Sequence, residues 1–284
     1  MRTLSSLIAL ALAITTAARS QAAPAAPELV RKALAAELEA AQDSSHPMRY
    51  VLHKSSPRVA TTKELIETPD GLVALLVAVN DRPLSAADSV KEQNRLNGLL
   101  ADPGKQRHRK QSEDEDTARA LKVLRALPAA FIYRDAGPGV SGSVQVERFA
   151  FSPNSGFDPP DLETQVLTAM EGELWIDPVQ VRVVRLDAHL QQDVDFGWGI
   201  LGRLNKGGWV TIEQSDVGGG QWRIVRFKMD MTGRVVIKTR RFATEEDESQ
   251  FAPVPQGLTY QQAIKMLRSS PPASQPSAPG SSSR

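Results

Sequence analysis

The sequence predicts an α+β protein built on a strongly curved antiparallel sheet, an open or half barrel, with an N-terminal helix, a helical insertion and a short C-terminal helix. The main evidence is the stretch from 163 to 243, where short runs of alternating apolar and polar residues are separated by tight turns. The alternation also changes parity inside some runs, which is typical of β-bulges, and bulges bend sheets.

The chain opens with the features of an export signal peptide. Arg2 supplies a positive charge, residues 4–16 an apolar segment, and Ser20-Gln-Ala22 a cleavage site. The apolar segment is shorter than the roughly 20 residues that cross a bilayer, and no later segment is longer. We therefore expect 1–22 to be a signal peptide and the protein to be exported, either periplasmic or associated with the outer envelope, without a transmembrane segment after cleavage. An uncleaved anchor is the alternative.

Charge and cysteine content narrow the possible functions. The formal net charge of +1 becomes −1 once Arg2 and Arg19 leave with the signal peptide, so nothing favours nucleic acid as a partner. The chain has no cysteine, which excludes disulfides, thiol catalysis and thiolate metal sites. Stability must come from a hydrophobic core, and 23–268 is long enough for a single β-rich domain. The Pro/Ser-rich stretch 269–284 is predicted to be a disordered tail.

The first half of the domain begins with a helix and three strands. Leu29, Val30, Leu34 and Leu38 recur at three- to four-residue spacing, which predicts a packing helix. Turn sequences rich in serine, proline and glycine come next, and they separate runs that read as a strand meander. The predicted strands are 48–54, 60–67 and 72–79.

A helical insertion is predicted over 86–127, between the two halves of the sheet, where it could act as a lid. Its first helix ends near residue 100, and its second is closed by Pro128. The second helix starts with a basic block followed by an acidic block, which predicts a solvated surface with ion pairs between residues four apart. The expected pairs are Arg109–Glu113 and Lys110–Asp114.

The second half of the sheet continues with shorter strands. Alternation over 184–190 predicts a sheet with one dry and one wet face. The apolar face changes parity within 144–151 and again at Ile224/Val225, so we expect bulges at both places. A last short helix is predicted at 259–267.

Sequence motifs that would indicate a nucleotide, metal or catalytic site are weak along the whole chain. Gly197–Gly202 fits G-x-G-x-x-G, but a strand comes after it rather than the helix of a dinucleotide site. The histidines lack zinc-binding spacing, although His53 and His189 could meet across the sheet. We therefore predict no catalytic residue, no metal site and no cofactor. A hydrolase that uses two carboxylates is the least favoured function, and its candidates are Glu171, Glu173, Asp177, Asp187, Asp193 and Asp195.

Aromatic and sulfur-containing side chains are the better candidates for ligand binding. They fall on neighbouring strands, where they would either fill the core or line an apolar concavity under the helices. The candidate ligand-binding residues are Trp175, Trp209, Trp222, Phe227, Met229 and Met231.

The chain resembles the outer-membrane lipoprotein-sorting superfamily, which includes LolA, LolB and RseB-like proteins. The resemblance rests on the order of elements and on Gly172–Asp177 (Gly-Glu-Leu-Trp-Ile-Asp) followed by a turn and Val183–Leu186. The chain also resembles uncharacterised exported proteins of acidobacterial type, in the segments Met170–Trp175 and Phe196–Gly208. The superfamily resemblance implies an incomplete barrel covered by helices that binds acyl chains or lipidated partners. It assigns no individual site residue.

These observations indicate two functions. The first is a non-enzymatic periplasmic or envelope protein that holds a lipid or a lipoprotein acyl chain in a hydrophobic concavity. The alternative is a structural or protein-interaction module of the envelope, in which the sheet interior is filled. The two differ in whether the interior of the sheet is hollow or packed.

Overall fold

The computed structural model describes residues 27–196, 202–235 and 238–269. The predicted signal peptide lies outside the described residues, as do 270–284 of the predicted tail and all but the last residue of the Gly197–Gly202 motif. In the described part, no helix has both the length and the apolar character that a membrane span requires.

The described residues form five α-helices and thirteen strands. The helices are α1 Glu28–Ala40, α2 Ala86–Ala101, α3 Pro103–Ala130, α4 Leu162–Gln165 and α5 Tyr260–Ser269, with a 3-10 turn at Val166–Ala169. The strands are β1 Met48–Ser55, β2 Ala60–Ile66, β3 Val73–Val79, β4 Arg82–Pro83, β5 Phe131–Ser141, β6 Val144–Pro153, β7 Met170–Asp177, β8 Arg182–Leu190, β9 Val194–Phe196, β10 Gly202–Leu204, β11 Trp209–Asp216, β12 Trp222–Val235 and β13 Lys238–Pro253. The predicted helices and meander are thus present.

All of these strands belong to one antiparallel sheet that does not close. Its main path runs β4-β3-β2-β1-β13-β12-β11-β8-β7-β6-β5, and β9 and β10 form a small extension beside β12. The chain leaves the sheet at the β4 edge and returns to it at the β5 edge. The α2–α3 insertion therefore connects one edge of the sheet to the other.

The length of α3 shows how strongly the sheet is curved. Glu113 of α3 is hydrogen-bonded beside the start of β3, at Leu72, and Ala130 directly precedes β5. The helix between these points is about 25 Å long. Along the sheet, β3 and β5 are nine strand steps apart, which is roughly 43 Å. Helix α3 is therefore a chord across the concave side, and the predicted open, curved sheet is confirmed.

Bulges produce the bend, although one of them is not where the sequence predicts it. The bulge at Ile224/Val225 is confirmed by a register shift between β11 and β12. The prediction of a bulge within 144–151 is wrong, because the extra residue is Ala136 in the neighbouring strand β5. Val146 is buried on the face opposite to Phe149, so β6 has apolar side chains on both faces. That distribution imitates a parity change without an extra residue.

Helix α3 also continues past the proline that was expected to end it. Pro128 lies inside the last turn, and the helix ends at Ala130. The carbonyls of this turn find partners outside the helix. Tyr133 donates to Leu127 O at 3.0 Å, and the side chain of Asn154 donates to Ala129 O at 2.9 Å. These bonds satisfy carbonyls at the end of the helix, where no further turn supplies N–H donors.

Two hydrophobic cores lie on opposite faces of the sheet. The larger one packs α1 and the C-terminal half of α3 against the inner, concave face and contains Leu174. The smaller one packs Leu96 of α2 and Ile264 of α5 against Ile66. Residues that pair directly across neighbouring strands share a face of the sheet. Tracing these pairs from β2 to β7 places Ile66 on the same face as Trp175 and on the face opposite to Leu174. Along the sheet, the central strands β1, β13, β12 and β11 lie between the two cores.

Candidate functional site

Apolar side chains line the inner face of the central strands without being fully buried. Val210 and Ile212 of β11 lie beside Phe227, Met229 and Met231 of β12, and all five are half-buried. Farther along the same face, beneath α1, Leu174 of β7 and Leu190 of β8 are only 1% and 0% exposed. These five residues, which we call the concavity floor, therefore keep apolar surface accessible.

Helix α3 crosses the sheet without burying its own middle. Its N-terminal end is fixed by Gln106, which is 2% exposed, and Leu127 packs against the larger core at the other end. Gln106 and Leu127 lie on one face of the helix, and Thr117 and Ala120 lie on the same face because they continue its three- to four-residue spacing. Both are nevertheless exposed, as is every residue from 114 to 120. The middle of the helix thus lies apart from the sheet that its two ends contact.

Polar side chains attach the insertion to the edge of the sheet. Side chains from α2 and α3 bond to the backbone groups that β3, and the residue before it, turn away from the sheet. These side chains take the place of another strand. The bonds are Glu113 to Leu72 N–H (2.9 Å), Arg95 to Ala74 O (2.5 Å) and Glu92 to Leu76 N–H (2.8 Å). We call this set the edge cap.

The edge cap explains why one predicted ion pair is wrong. Glu113 faces the sheet edge rather than Arg109, whereas the predicted pair Lys110–Asp114 is present. The position of the Glu113 side chain also favours a glycine in the turn before β3. Gly71 has φ of +99°, and a Cβ there would lie 2.7 Å from a carboxylate oxygen of Glu113.

Helix α1 is fixed over the sheet by one buried carboxylate. Glu37 receives a bidentate pair from Arg182, at 2.9 Å for both contacts, and further bonds from Val183 N–H and the Gln214 amide. The Arg182 guanidinium lies 5.6 Å from the ring centroid of Trp222. A cavity of about 300 Å³ separates Trp222 from the C-terminal end of α1. Trp222 therefore stands at the rim of the concavity.

Two of the predicted ligand-binding tryptophans lie on the outer face. Trp175 is flanked by the guanidinium groups of Arg148 and Arg185, 5.9 and 5.5 Å from its ring centroid. Trp209 is 40% exposed and pairs across the strands with His189, on the same outer face. Of the six candidates, the structure brings together Phe227, Met229 and Met231 on the concavity floor.

A carboxylate that the sequence analysis did not single out lies beside the floor. Glu248 of β13 is half-buried on the inner face, where Glu246 and Glu67 add negative charge and Arg223 opposes them. Burial, and then repulsion by the two glutamates, raises the pKa of Glu248 from 4.5 to about 7. Because Glu67 lies far away in sequence, no local pattern could reveal this site. Glu246 itself is paired with Lys54 at 2.6 Å.

The six carboxylates proposed for hydrolysis are all held in polar contacts with neighbouring groups. Glu173 and Asp187 lie opposite each other in β7 and β8, but on the outer face, where each contacts an arginine. The contacts are Glu171 with His189, Glu173 with Trp175 Nε1 and Arg148, Asp177 with the N–H groups of Val179 and Gln180, Asp187 with Arg185, and Asp193 and Asp195 with Arg203.

The two strand histidines do not meet, contrary to the sequence-based expectation. His53 is in β1 and lies 3.2 Å from Thr62, whereas His189 is in β8 and lies 3.0 Å from Glu171. Four strand steps separate β1 from β8. Across the ranges that the structure describes, no three histidine or carboxylate side chains are grouped so as to hold a metal ion.

Comparisons with known proteins find similarity among solved structures. No protein-family model matches the chain, and no curated protein matches it. A LolA superfamily protein from Nitrosomonas europaea is 10% identical, with a TM-score of 0.28 over 82% of this chain and 96% of that one. A putative outer membrane lipoprotein-sorting protein domain from Vibrio parahaemolyticus is 11% identical, with a TM-score of 0.29 over 84% and 97%. MucB, solved in complex with MucA(peri), is 10% identical, with a TM-score of 0.23 over 79% and 97%.

The superfamily that the sequence resembles is thus represented among the similar structures. Identities and TM-scores this low assign neither membership of that family nor a function.

Proposed function

We propose that this chain is a non-enzymatic binding protein of the cell envelope that holds a lipid or a lipoprotein acyl chain in its concavity. The observation that supports the proposal is the concavity floor, whose five apolar side chains stay half-buried while residues 114–120 of the helix that crosses the sheet are exposed. An alkyl chain would remove this surface from water, which is favourable in proportion to the apolar area covered. The predicted signal peptide at 1–22 supports the envelope location.

Glu248 gives the proposed site a polar end. A fatty acyl group carries a carbonyl or an ester, and a carboxyl group whose pKa is near 7 can donate a hydrogen bond to it when protonated. Trp222 at the rim and Met229 on the floor supply adaptable apolar contacts. The proposed ligand therefore has a long apolar part and a small polar group.

Binding of a fluorescent fatty acid to the purified chain tests this proposal. We expect wild-type protein to bind the probe and Met229→Arg, on the floor, to lose at least about tenfold in affinity, because a charge would enter the apolar surface. Trp209→Arg, which makes the matching change on the outer face, should bind as wild type does. Native mass spectrometry of protein from its own host should also detect a bound lipid.

A different result would favour the alternative function. If neither the fatty acid nor any co-purifying lipid binds, or if the two variants lose affinity equally, the concavity is not an acyl-chain site. The chain would then be better described as an envelope interaction module.

A further inference from the structure

The hairpin of β12 and β13 extends beyond the strands that flank it. Strand β11 pairs with β12 no farther than Asp230, and β1 reaches β13 only as far as Glu245. Past these points β12 pairs with the short strand β10 and accepts one further backbone bond, from Asn205 N–H to Thr232 O at 2.8 Å. We call the described residues 232–235 and 238–243 the hairpin projection.

The hairpin projection carries charge of one sign. The sequence from 231 to 244 contains four basic residues and no aspartate or glutamate. Arg241 is bonded to Asp230 at the base of the projection. Among the described residues, Arg234, Lys238 and Arg240 have no side-chain hydrogen bond or ion pair, although Arg234 and Asp195 interact at longer range. Residues 238–242 are all exposed, so these charges face solvent.

The rest of the outer face has a different arrangement of charge. Arg226 contacts both Asp247 and Glu213, and Arg185 contacts both Asp187 and Glu213. Opposite charges there form a continuous network between strands, which leaves little net field. The unpaired cations of the hairpin projection are therefore a local excess of positive charge on a protein whose net charge is close to zero.

The arrangement of the projection indicates the shape of its partner. Register places Arg234 and Arg241 on one face of the ribbon and Lys238, Arg240 and Phe242 on the other. A protein that covered one face would leave the cations of the other face unmatched. A flat anionic surface approached end-on would attract both sets, and Phe242, which is 38% exposed, suits the headgroup layer of a bilayer.

We propose that the hairpin projection docks the protein on anionic phospholipid surfaces. Arg234, Lys238 and Arg240 supply the attraction and Phe242 a shallow apolar contact. This surface adjoins the concavity floor at Phe242, which pairs with Met231, but it does not require a ligand there. It would hold the protein at a membrane reversibly, because a few exposed cations give attraction that salt screens.

Co-sedimentation with vesicles tests the docking surface. We expect the full mature chain to bind vesicles of phosphatidylcholine containing about one third phosphatidylglycerol, and not phosphatidylcholine alone, with binding lost at high salt. Lys238→Gln with Arg240→Gln should lower the partition coefficient about 30-fold, since each cation near an anionic membrane contributes about a factor of five. Arg107→Gln with Lys265→Gln, which removes two exposed cations on helices α3 and α5, is the matched control and should bind as wild type does.

Three results would overturn this inference: equal binding to both kinds of vesicle, no binding to either, or equal losses in the two double variants. Displacement of the protein from vesicles by polyglutamate at a matched charge concentration would also overturn it, because an acidic polypeptide would then be the better partner. The variants change exposed residues, so unchanged thermal unfolding verifies that they are folded. Met229→Arg should bind vesicles normally, which separates failure here from failure of the acyl-chain proposal.

Discussion

Glu37 is the single residue on which the position of α1 most depends. It is 9% exposed and accepts bonds from Arg182, Val183 N–H and Gln214. In Glu37→Ala the Arg182 charge would stay partly buried without its partner, so we expect the free energy of unfolding to fall by about 3–5 kcal/mol. Urea unfolding measures this loss. Glu28→Gln, which removes the exposed partner of Lys32, should leave the unfolding midpoint unchanged, and an equal loss in both variants would contradict the role of Glu37.

Glu248 makes the stability of the fold depend on pH. Its pKa is raised from 4.5 to about 7, so the folded state holds the proton more tightly than the unfolded state. The stabilisation from this proton is complete below pH 4.5 and is lost as pH rises through about 7. Glu248→Gln should therefore stabilise the protein by about 3 kcal/mol near pH 8 and have little effect near pH 4.

Urea unfolding across this pH range measures the effect. Glu39→Gln, a change at an exposed glutamate of α1, is the control and should leave the pH profile as it is in wild type. If Glu248→Gln changed stability equally at both ends of the range, its carboxyl would not be the group that titrates.

Sequence alone could place the candidate residues on strands but could not say which face they occupy. Trp175 and Phe227 both lie in runs that look half apolar, yet one is on the outer face between arginines and the other is on the concavity floor. The face depends on cross-strand register and on bulges, and each bulge reverses the parity of the residues after it. Glu248 was missed for a related reason, since its raised pKa depends on burial and on charges from strands distant in sequence.

At the scale of elements, the edge cap explains how the sheet ends at β3 without exposing its backbone. We expect Glu92→Ala to leave the Leu76 N–H without its acceptor and to cost about 1–3 kcal/mol. Hydrogen exchange read by NMR should become faster at Leu76, and less so at Val73 N–H, which pairs with β2. Asp88→Ala, an exposed change on the same helix, should leave exchange at Leu76 unaltered. Unchanged exchange at Leu76 in Glu92→Ala would show that the edge needs no cap.

The elements that sequence predicts best are those whose signals are local. Both helices of the insertion were predicted from residues within or next to them, and α2 begins after Ser85, whose hydroxyl accepts from Asp88 N–H at 3.1 Å. The end of α3 could not be predicted, because Asn154, which satisfies its last turn, lies in the loop after β6. Glu113 likewise looked like half of a surface pair until the β3 edge was placed beside it. Long-range partners decided both cases.

At the scale of the whole molecule, the concavity exists because α3 crosses a curved sheet as a chord. The parity changes in the sequence predicted a curved sheet, but they did not show that the insertion joins both edges. A straight helix held at both edges of a curved sheet must stand away from the middle of that sheet. This geometry accounts for the exposure of 114–120 and for the half-buried floor below.

Filling the space beneath α3 distinguishes a hollow interior from a packed one. Ala120 is exposed on the stripe that faces the sheet, and Ala118 is two residues away, about 200° around the helix. In a hollow interior, Ala120→Trp should change the unfolding midpoint little and still block the fluorescent fatty acid, because the indole would occupy its place. Ala118→Trp makes the same substitution on the far side and should affect neither property. Overpacking of a filled interior would instead cost Ala120→Trp about 1–3 kcal/mol, so a large loss of stability in that variant alone would show that the helix already rests on the sheet.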